Sequence, residues 1–138
     1  MLVQEIMTRD PAVIQPQDTL RRAIETMRTV GCRRLPVVAH DRLVGIVTRL
    51  DIRQALNAPL VLRERWQDEE LLDRTTIEAC MTSNPFTVAP TTPVINAARL
   101  MRDRKVGGLP VVDGERLVGI VTETDLLDTL ITLLEEHR

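Results

Sequence analysis

Aromatic side chains are almost absent from this chain. Tryptophan and phenylalanine occur once each, as Trp66 and Phe86, and there is no tyrosine. Proteins that bind single strands or RNA usually stack bases on aromatic rings, and the formal net charge here is −2 rather than basic. The composition therefore argues against nucleic-acid binding.

Long apolar runs are also missing. The unbroken apolar segments are a few residues long, whereas a membrane-spanning helix needs about 20 apolar residues. The start MLVQEIMTRD lacks the charged-then-apolar pattern of a signal peptide. We therefore expect a cytoplasmic protein without membrane insertion, whose 138 residues bury a modest core.

Cysteine and histidine are too sparse and too scattered to suggest a metal site. Cys32 and Cys80 lack Cys-x-x-Cys spacing. His40 lies in a polar segment and His137 in a charged tail, neither with a partner residue that suggests a metal or a catalytic base.

The chain does contain an internal repeat. Residues 6–52 recur without a gap as residues 80–126, with LPVV and RLVGIVT identical in both copies. Cys32 and Cys80 correspond to Val106 and Ile6 in this alignment. Both thiols thus occupy positions that accept an aliphatic side chain, and we interpret them as core cysteines.

Each copy has a readable local pattern. An apolar stripe at i, i+3, i+4 and i+7 predicts a helix that ends near Val30 in the first copy and Lys105 in the second. Asp18 and Thr92 stand where the N-caps of these helices are expected, with Pro93 at the first helical position. A short extended piece precedes the helix, and a hairpin and a second helix follow it.

This order predicts an α+β protein made of two β-α-β-β-α repeats. One copy cannot cover both its helix face and its sheet face, so we expect the copies to pack through their sheets about a pseudo-two-fold axis. The predicted divisions are 1–58, a connector 59–79, and 80–138. The connector is charged and lacks glycine, which predicts helix on both sides of Pro59, with Trp66 covering one edge.

The run M-T-x-x-P, a helix, and then LPVV-D-G-x-R-LVGIVT-x-x-D resembles the CBS domain, named after cystathionine β-synthase. The tandem pair resembles a Bateman module. The resemblance implies a sensor that binds AMP, ADP, ATP or S-adenosylmethionine in clefts between the copies. It also implies a homodimer, with no cofactor required.

The candidate ligand residues open the second helix of each copy: Thr48, Asp51, Thr122 and Asp125. A carboxylate can accept two hydrogen bonds from a ribose diol, and a hydroxyl with the free N–H groups of a helix start can face phosphate. The alternative is structural, because Thr-x-x-Asp is also a capping pattern. Spacing alone leaves both open.

The copies differ in charge next to this motif. Arg33 and Arg34 precede LPVV in the first copy, where the second has Gly107 and Gly108. The resemblance implies that these arginines reach the phosphates of a nucleotide whose ribose is held by Asp125; the alternative is two solvated side chains. Arg49 is replaced by Glu123 in the second copy, so we expect two clefts of unequal affinity.

The adenine base needs an apolar slot, and no aromatic residue lies near either motif. The predicted walls are aliphatic, although they are also expected core positions: Ile14, Ile46, Val88 and Ile120.

The C-terminal helix carries a surplus apolar stripe at Leu127, Leu130, Ile131 and Leu134. This stripe either completes the core or forms a dimer seam, and we favour the seam. No nucleophile with a base, carboxylate pair or metal set survives comparison of the copies, so we expect no enzyme. The favoured function is a regulatory nucleotide sensor acting on an unidentified partner; the alternative is a ligand-free dimerisation scaffold.

Overall fold

The computed structural model describes residues 1–57 and 65–137. It contains helices and two three-stranded sheets, which confirms the α+β class. The predicted extended piece before the first helix of each copy is not the third strand of a sheet; it forms only an isolated bridge, Ile14 to Val37 or Val88 to Val111. The strands are β1 (Thr8–Arg9), β2 (Arg34–Ala39), β3 (Arg42–Thr48), β4 (Thr82–Ser83), β5 (Gly108–Asp113) and β6 (Arg116–Thr122). The helices are α1 (Leu20–Val30), α2 (Arg49–Asn57), α3 (Arg65–Arg74), α4 (Val94–Arg104) and α5 (Glu123–Glu136).

The chain divides into two compact units that do not follow the sequence repeat. One unit is Ala12–Asn84, here called the first unit. The other combines Met1–Pro11 with Pro85–Arg138 and is called the second unit. The two sequence copies exchange their short first strands. Strand β4, from the second copy, pairs with β3 in the first unit, and β1, from the first copy, pairs with β6 in the second unit.

The core of each unit lies between its helices and one face of its sheet. Apolar side chains from α1, the hairpin and α2 pack together in the first unit, in a cluster of buried residues: Ile14, Leu20, Ala23, Met27, Leu35, Val37, Val47, Ile52 and Ile77. The second unit repeats this arrangement with Val3, Val88, Ala97, Met101, Leu109, Val111 and Val121. Val3 and Ile77 occupy equivalent places, one before each exchanged strand.

Helix α1 begins one residue later than predicted. Thr19 is the N-cap, and its side chain accepts a hydrogen bond from the Arg22 N–H. Asp18 instead accepts the Gln15 N–H at 2.8 Å, and Thr92 accepts the Ala89 N–H at 2.9 Å. The predicted caps were therefore wrong, because these oxygens satisfy the preceding turn rather than the helix.

The hairpins follow the prediction closely. A two-residue turn, His40-Asp41, joins β2 to β3, and both residues have positive φ. In the second unit the turn-forming pair Asp113-Gly114 predicts the turn, but the structure has it one residue later, at Gly114-Glu115, in register with the first. Both hairpins carry an irregularity at the same place, between Val37 and Val38 and between Val111 and Val112.

The exchanged strands run very close to their hairpins. A Cβ at Gly45 would lie 2.8 Å from the Thr82 carbonyl oxygen and 2.7 Å from the Met81 Sδ. A Cβ at Gly119 would lie 2.8 Å from the Thr8 carbonyl oxygen. Only glycine allows this approach, so the RLVGIVT glycines position the strand that enters each unit.

The connector helix α3 belongs to the first unit. The Arg21 guanidinium forms ion pairs with Asp73 and Glu69, and Leu72 packs against the core. These hydrogen bonds raise the pKa of Arg21. Helices lie on both sides of the segment that contains Pro59, while Pro59 itself and the side chain of Trp66 lie outside the described residues.

Helix α5 runs for 14 residues, and none of them is buried. Its apolar stripe is 51% to 62% exposed, at Leu127, Leu130, Ile131 and Leu134. The stripe does not complete the core, so that alternative was wrong. The dimer seam remains a prediction.

Candidate ligand-binding site

Thr48 ends β3, and Asp51 lies in the first turn of α2. The Thr48 N–H donates to Asp51 Oδ2 at 2.8 Å, and the Asp51 N–H donates to Thr48 Oγ1 at 3.1 Å. This reciprocal pair is a capping box, which satisfies two N–H groups that the helix cannot satisfy itself. The structural interpretation of Thr-x-x-Asp is thus correct for the first unit.

Thr122 and Asp125 form the same box at the start of α5. The Thr122 N–H donates to Asp125 Oδ2 at 2.8 Å, and the hydroxyl also lies 3.2 Å from that oxygen. Both aspartates are half-buried. Among residues 1–57 and 65–137, no hydrogen bond engages Oδ1 of either carboxylate. Capping therefore fixes each carboxylate and leaves one oxygen as an acceptor.

The hairpin register brings further polar groups beside Thr48. Arg34 lies directly opposite Thr48, and Ile46 lies between Pro36 and Thr82 in the next row of the same face. This face is opposite to the one that carries Val37 and Val47 into the core. Arg34 and Ile46 thus share the face of the sheet on which Thr48 stands.

The second unit repeats this row pattern without the cation. Gly108 lies opposite Thr122, and Ile120 lies between Pro110 and Thr8. The ladder therefore pairs the motif threonine with arginine in one unit and with glycine in the other.

Thr8 and Thr82 were missed as candidate site residues. Their strands are only two residues long, too short for a periodic pattern. The available signal was the identity of Met7-Thr8 with Met81-Thr82, part of the M-T-x-x-P run that we used for the family resemblance and not for the site. The ladder places each threonine beside Ile120 or Ile46 on the face that carries the motif threonine.

The four predicted adenine walls do not lie on one face of the sheet. Ile14 bridges to Val37, and Val88 bridges to Val111. Both belong to the buried clusters on the helix side. Ile46 and Ile120 stand on the opposite face and are not members of those clusters, so they are the pair that accompanies the motif threonines.

Arg33 is exposed, and its carbonyl oxygen accepts the Arg49 N–H at 2.8 Å. The equivalent bond joins the Glu123 N–H to the Gly107 carbonyl oxygen at 3.1 Å. This bond ties the start of each β-hairpin to the start of the helix that follows it. The replacement of Arg33 by Gly107 and that of Arg49 by Glu123 therefore lie at the same junction, where the hairpin meets the following helix.

Asp125 also lines a groove of about 350 Å³ in the second unit, together with Ile6, Asp128, Thr129 and Glu136. Three of these side chains are carboxylates, which disfavour phosphate by repulsion. In the first unit, by contrast, the helix that carries Asp51 has Arg49 and Arg53 as neighbouring residues.

Cys80 lies close enough to Asp51 to sense its charge. Burial raises the pKa of the Cys80 thiol, and the negative charge of Asp51 raises it further. Both cysteines are free and pack against the core of the first unit, which confirms their interpretation as core residues.

Within the described ranges, no group of His, Cys, Asp and Glu side chains could hold a metal ion. In the same ranges, no helix is both long enough and apolar enough to cross a membrane.

Two equivalent α+β units, each with a Thr-x-x-Asp box at a strand-to-helix junction, define a tandem-repeat module. The family model of the CBS domain matches residues 3–58 and 77–132. The chain therefore belongs to the CBS domain family, and it contains a tandem pair.

Similar proteins agree with this assignment. A CBS domain-containing protein of Dictyostelium discoideum is 39% identical over 137 residues, which cover 98% of this chain and 94% of that protein. The CBS domain pair of protein MJ0100, solved with 5′-methylthioadenosine and S-adenosyl-L-methionine, is 31% identical with a TM-score of 0.81. That match covers 94% of this chain and 95% of the other.

The protein CBSX2, solved in complex with AMP, is 25% identical. Its TM-score is 0.81, with 95% of this chain and 97% of that chain covered. These two solved relatives therefore contain adenosine compounds both with and without a phosphate group.

Proposed function

We propose that this chain is a regulatory module that binds an adenosine-containing ligand and acts on a partner protein. The candidate ligands are AMP, ADP, ATP and S-adenosylmethionine. The observation that carries the proposal is the reciprocal capping box at Thr48-Asp51 and Thr122-Asp125, which leaves one oxygen of each carboxylate as an acceptor. The ligands in the MJ0100 and CBSX2 structures support the same chemical class.

In this proposal, Asp51 and Asp125 each accept hydrogen bonds from a ribose diol, and Thr48 and Thr122 face phosphate. Ile46 and Ile120 supply apolar surface for adenine. Arg33 and Arg34 contribute positive charge toward phosphate, since Arg34 stands opposite Thr48 in the ladder. Glu123 and Asp128 make the surroundings of Asp125 less favourable for phosphate.

Titration calorimetry with AMP, ATP, S-adenosylmethionine and 5′-methylthioadenosine tests the proposal. Asp51→Asn and Asp125→Asn keep an oxygen for the cap but remove the charge and one acceptor, so we expect about a tenfold or greater loss of affinity at the altered site. Asp41→Asn, in the hairpin turn, is the matched control and should not change affinity. Absence of binding at millimolar concentration would overturn the proposal.

The phosphate role of the arginines has a sharper test. Arg34→Gln should weaken AMP by roughly five- to tenfold and leave 5′-methylthioadenosine unchanged, because the latter has no phosphate. A double-mutant cycle with Asp51→Asn and Asp125→Asn identifies the carboxylate with which Arg34 shares a ligand. Equal losses for both ligands would indicate a structural effect instead.

We further propose that the chain forms a homodimer through α5 and has no catalytic activity of its own. The exposed apolar stripe of α5 supports the homodimer, since contiguous exposed apolar surface marks interaction sites. The stripe also favours the second candidate function, a ligand-free dimerisation scaffold. A protein that is dimeric by light scattering but binds none of the ligands in calorimetry would be this scaffold. Product formation from ATP would indicate an enzyme.

A further inference from the structure

Helix α3 covers one side of the first unit. It packs on α1 and α2, and its Leu72 packs against the core. Directly after the helix, the Thr75 carbonyl oxygen accepts the Leu20 N–H at 3.1 Å, at the start of α1. The first unit therefore shows that a helix fits on this side of a repeat.

The second unit has the same hydrogen bond. The Met1 carbonyl oxygen accepts the Val94 N–H at 3.0 Å, and Met1 corresponds to Thr75 at the offset of the repeat. The α-helices described in this unit are α4 and α5, the counterparts of α1 and α2, and none corresponds to α3. The surface that α3 covers in the first unit is thus open in the second.

This open surface contains the groove of about 350 Å³ on α5. Met1 and Ile6 line one part of it, and Thr129 belongs to the helix face that lines the other. The counterparts of Ile6 and Thr129 are Cys80 and Ala55. Both of these pack against the same core as Leu72 of α3. The groove therefore lies where α3 lies in the first unit.

The groove combines apolar surface with negative charge. Met1 is 59% exposed and Leu133 is 38% exposed, so both have apolar area left to bury. No lysine or arginine is among the described lining residues, which include three carboxylates: Asp125, Asp128 and Glu136. In the part of the chain that the structure describes, none of the three forms an ion pair. Such a groove suits an amphipathic helix that carries lysine or arginine.

Helix α3 of a second copy does not have this chemistry. It has four acidic and two basic residues, and Glu69 and Asp73 need Arg21 as their partner in the first unit. The counterpart of Arg21 in the second unit is Ile95, which is 57% exposed. The arginine-rich helices α1 and α4 already bury their apolar faces in the two cores. The charges therefore favour a helix from a different protein.

The groove and the exposed apolar stripe lie on different sides of α5. Asp125, Thr129, Thr132 and Glu136 follow one another at four, three and four residues, so they share one face of the helix. At about 100° per residue, the stripe from Leu127 to Leu134 lies on roughly the opposite face. A helix can therefore dock in the groove while the stripe stays available for the proposed homodimer.

We propose that the α5 groove docks a basic amphipathic helix of the protein on which the module acts. This inference rests on the proposed action on a partner protein, and it names the surface and the chemistry of the partner. Apolar side chains of the docked helix contact Met1 and Leu133, and its lysines or arginines pair with Asp128 and Glu136. Asp125 belongs to both the groove and the proposed ligand site, so the docked helix lies beside the ligand.

Two peptides test this proposal. The basic peptide has the sequence of residues 65–76 with four changes, Asp68→Lys, Glu69→Lys, Glu70→Lys and Asp73→Lys, and the control peptide has the native acidic sequence. A hydrocarbon staple opposite the leucines keeps both helical, because helices this short are marginal in water. Fluorescence anisotropy of each labelled peptide with the full chain measures Kd. The basic peptide should bind about tenfold or more tightly than the acidic one.

Variants of the chain locate the contact. Asp128→Asn with Glu136→Gln removes two exposed carboxylates of the groove and should weaken the basic peptide roughly fivefold. Asp10→Asn with Asp113→Asn removes the same charge from exposed positions of the second unit outside the groove, and should leave Kd unchanged. Leu133→Ala should weaken the peptide severalfold through lost apolar contact. Circular dichroism and thermal melting establish that each variant is folded.

Three results would overturn the inference: no binding of the basic peptide at millimolar concentration, equal Kd values for the two peptides, or a Kd that does not respond to Asp128→Asn with Glu136→Gln. Light scattering should give the same oligomeric state with and without saturating peptide. A peptide that dissociates the homodimer occupies the stripe instead, which also overturns the inference.

Nucleotide titration separates this inference from the proposed function. A chain that binds the basic peptide in the groove but no adenosine compound keeps the docking surface and loses the sensor role. A chain that binds adenosine compounds but not the peptide keeps the proposed ligand site and loses the docking surface.

Discussion

Thr48 and Thr122 end equivalent strands and form the same box with the aspartate three residues on. Across the ladder, however, Thr48 faces Arg34 and Thr122 faces Gly108. Glu123 likewise replaces Arg49, and α5 exposes an apolar stripe where α2 has Arg53 and Asn57. Positions that match between the units build the scaffold. Positions that differ set the charge, and we assign to them the unequal ligand affinity of the two sites and the proposed homodimer contact of α5.

The largest expected effect tests the equivalence of the two scaffolds. Gly45→Ala and Gly119→Ala each place a Cβ within 2.8 Å of a carbonyl oxygen of the entering strand. Backbone cannot move aside easily, so each should lower the free energy of unfolding by about 1–3 kcal/mol. Chemical denaturation measures both.

Gly114→Ala is the contrasting control for that pair. Gly114 has a positive φ but no atom within 4 Å of the added Cβ, so only backbone strain of about 1 kcal/mol applies. If Gly45→Ala lowered the free energy of unfolding and Gly119→Ala did not, the two units would not be equivalent at this position.

The next effect distinguishes the two capping boxes. Thr48→Ala should cost about 1 kcal/mol. Thr122→Ala should cost less, because the Asp125 N–H lies 3.5 Å from the Thr122 hydroxyl, against 3.1 Å in the first unit. Denaturation of both variants measures the difference, and Thr→Ser at each site should restore stability. A larger loss of stability for Thr122→Ala than for Thr48→Ala would contradict this order of the two capping boxes.

Most of the local structure could be predicted because the repeat supplies two readings of each element. The helices after Thr48 and Thr122 and both hairpins were predicted from periodicity and turn residues. The exchange of residues 1–11 and 82–84 could not be, since Met-Thr is identical in both copies and fits either sheet. Ile14 and Ile46 lie on opposite faces of the sheet. This placement depends on strand register, which composition does not specify.

A smaller effect belongs to the first unit alone. Arg21→Ala removes ion pairs to Asp73 and Glu69; its counterpart in the second unit is Ile95, which is exposed. All three charged groups are at least one-third exposed, so the loss of stability should be small and should shrink at high salt. Thermal melts at low and high salt test this, with Arg22→Ala as the neutral control.

The smallest effect is a change in thiol reactivity. Asp51→Asn removes a negative charge that raises the pKa of Cys80, so more thiolate is present at pH 8 and alkylation is faster. Burial is the larger cause, so we expect an increase of roughly twofold, where a full pKa unit would give about tenfold.

Iodoacetamide labelling in a Cys32→Ser background measures this rate. Asp41→Asn is the control and should leave the rate unchanged. A slower reaction after Asp51→Asn would contradict the proximity of the two groups. By linkage, the raised pKa of Cys80 stabilises the fold below the thiol's ordinary pKa, and this contribution is lost as pH rises through the folded value.

The strand exchange has a consequence for how the molecule is synthesised. Val3 is fully buried in the second unit, yet the β6 strand that pairs with β1 ends at Thr122. At about 5–20 residues per second, translation of the intervening chain takes roughly 6–24 s. All residues of the first unit have been synthesised once Asn84 is added, whereas residues 1–11 pair with β6, a strand of the second unit that is translated much later.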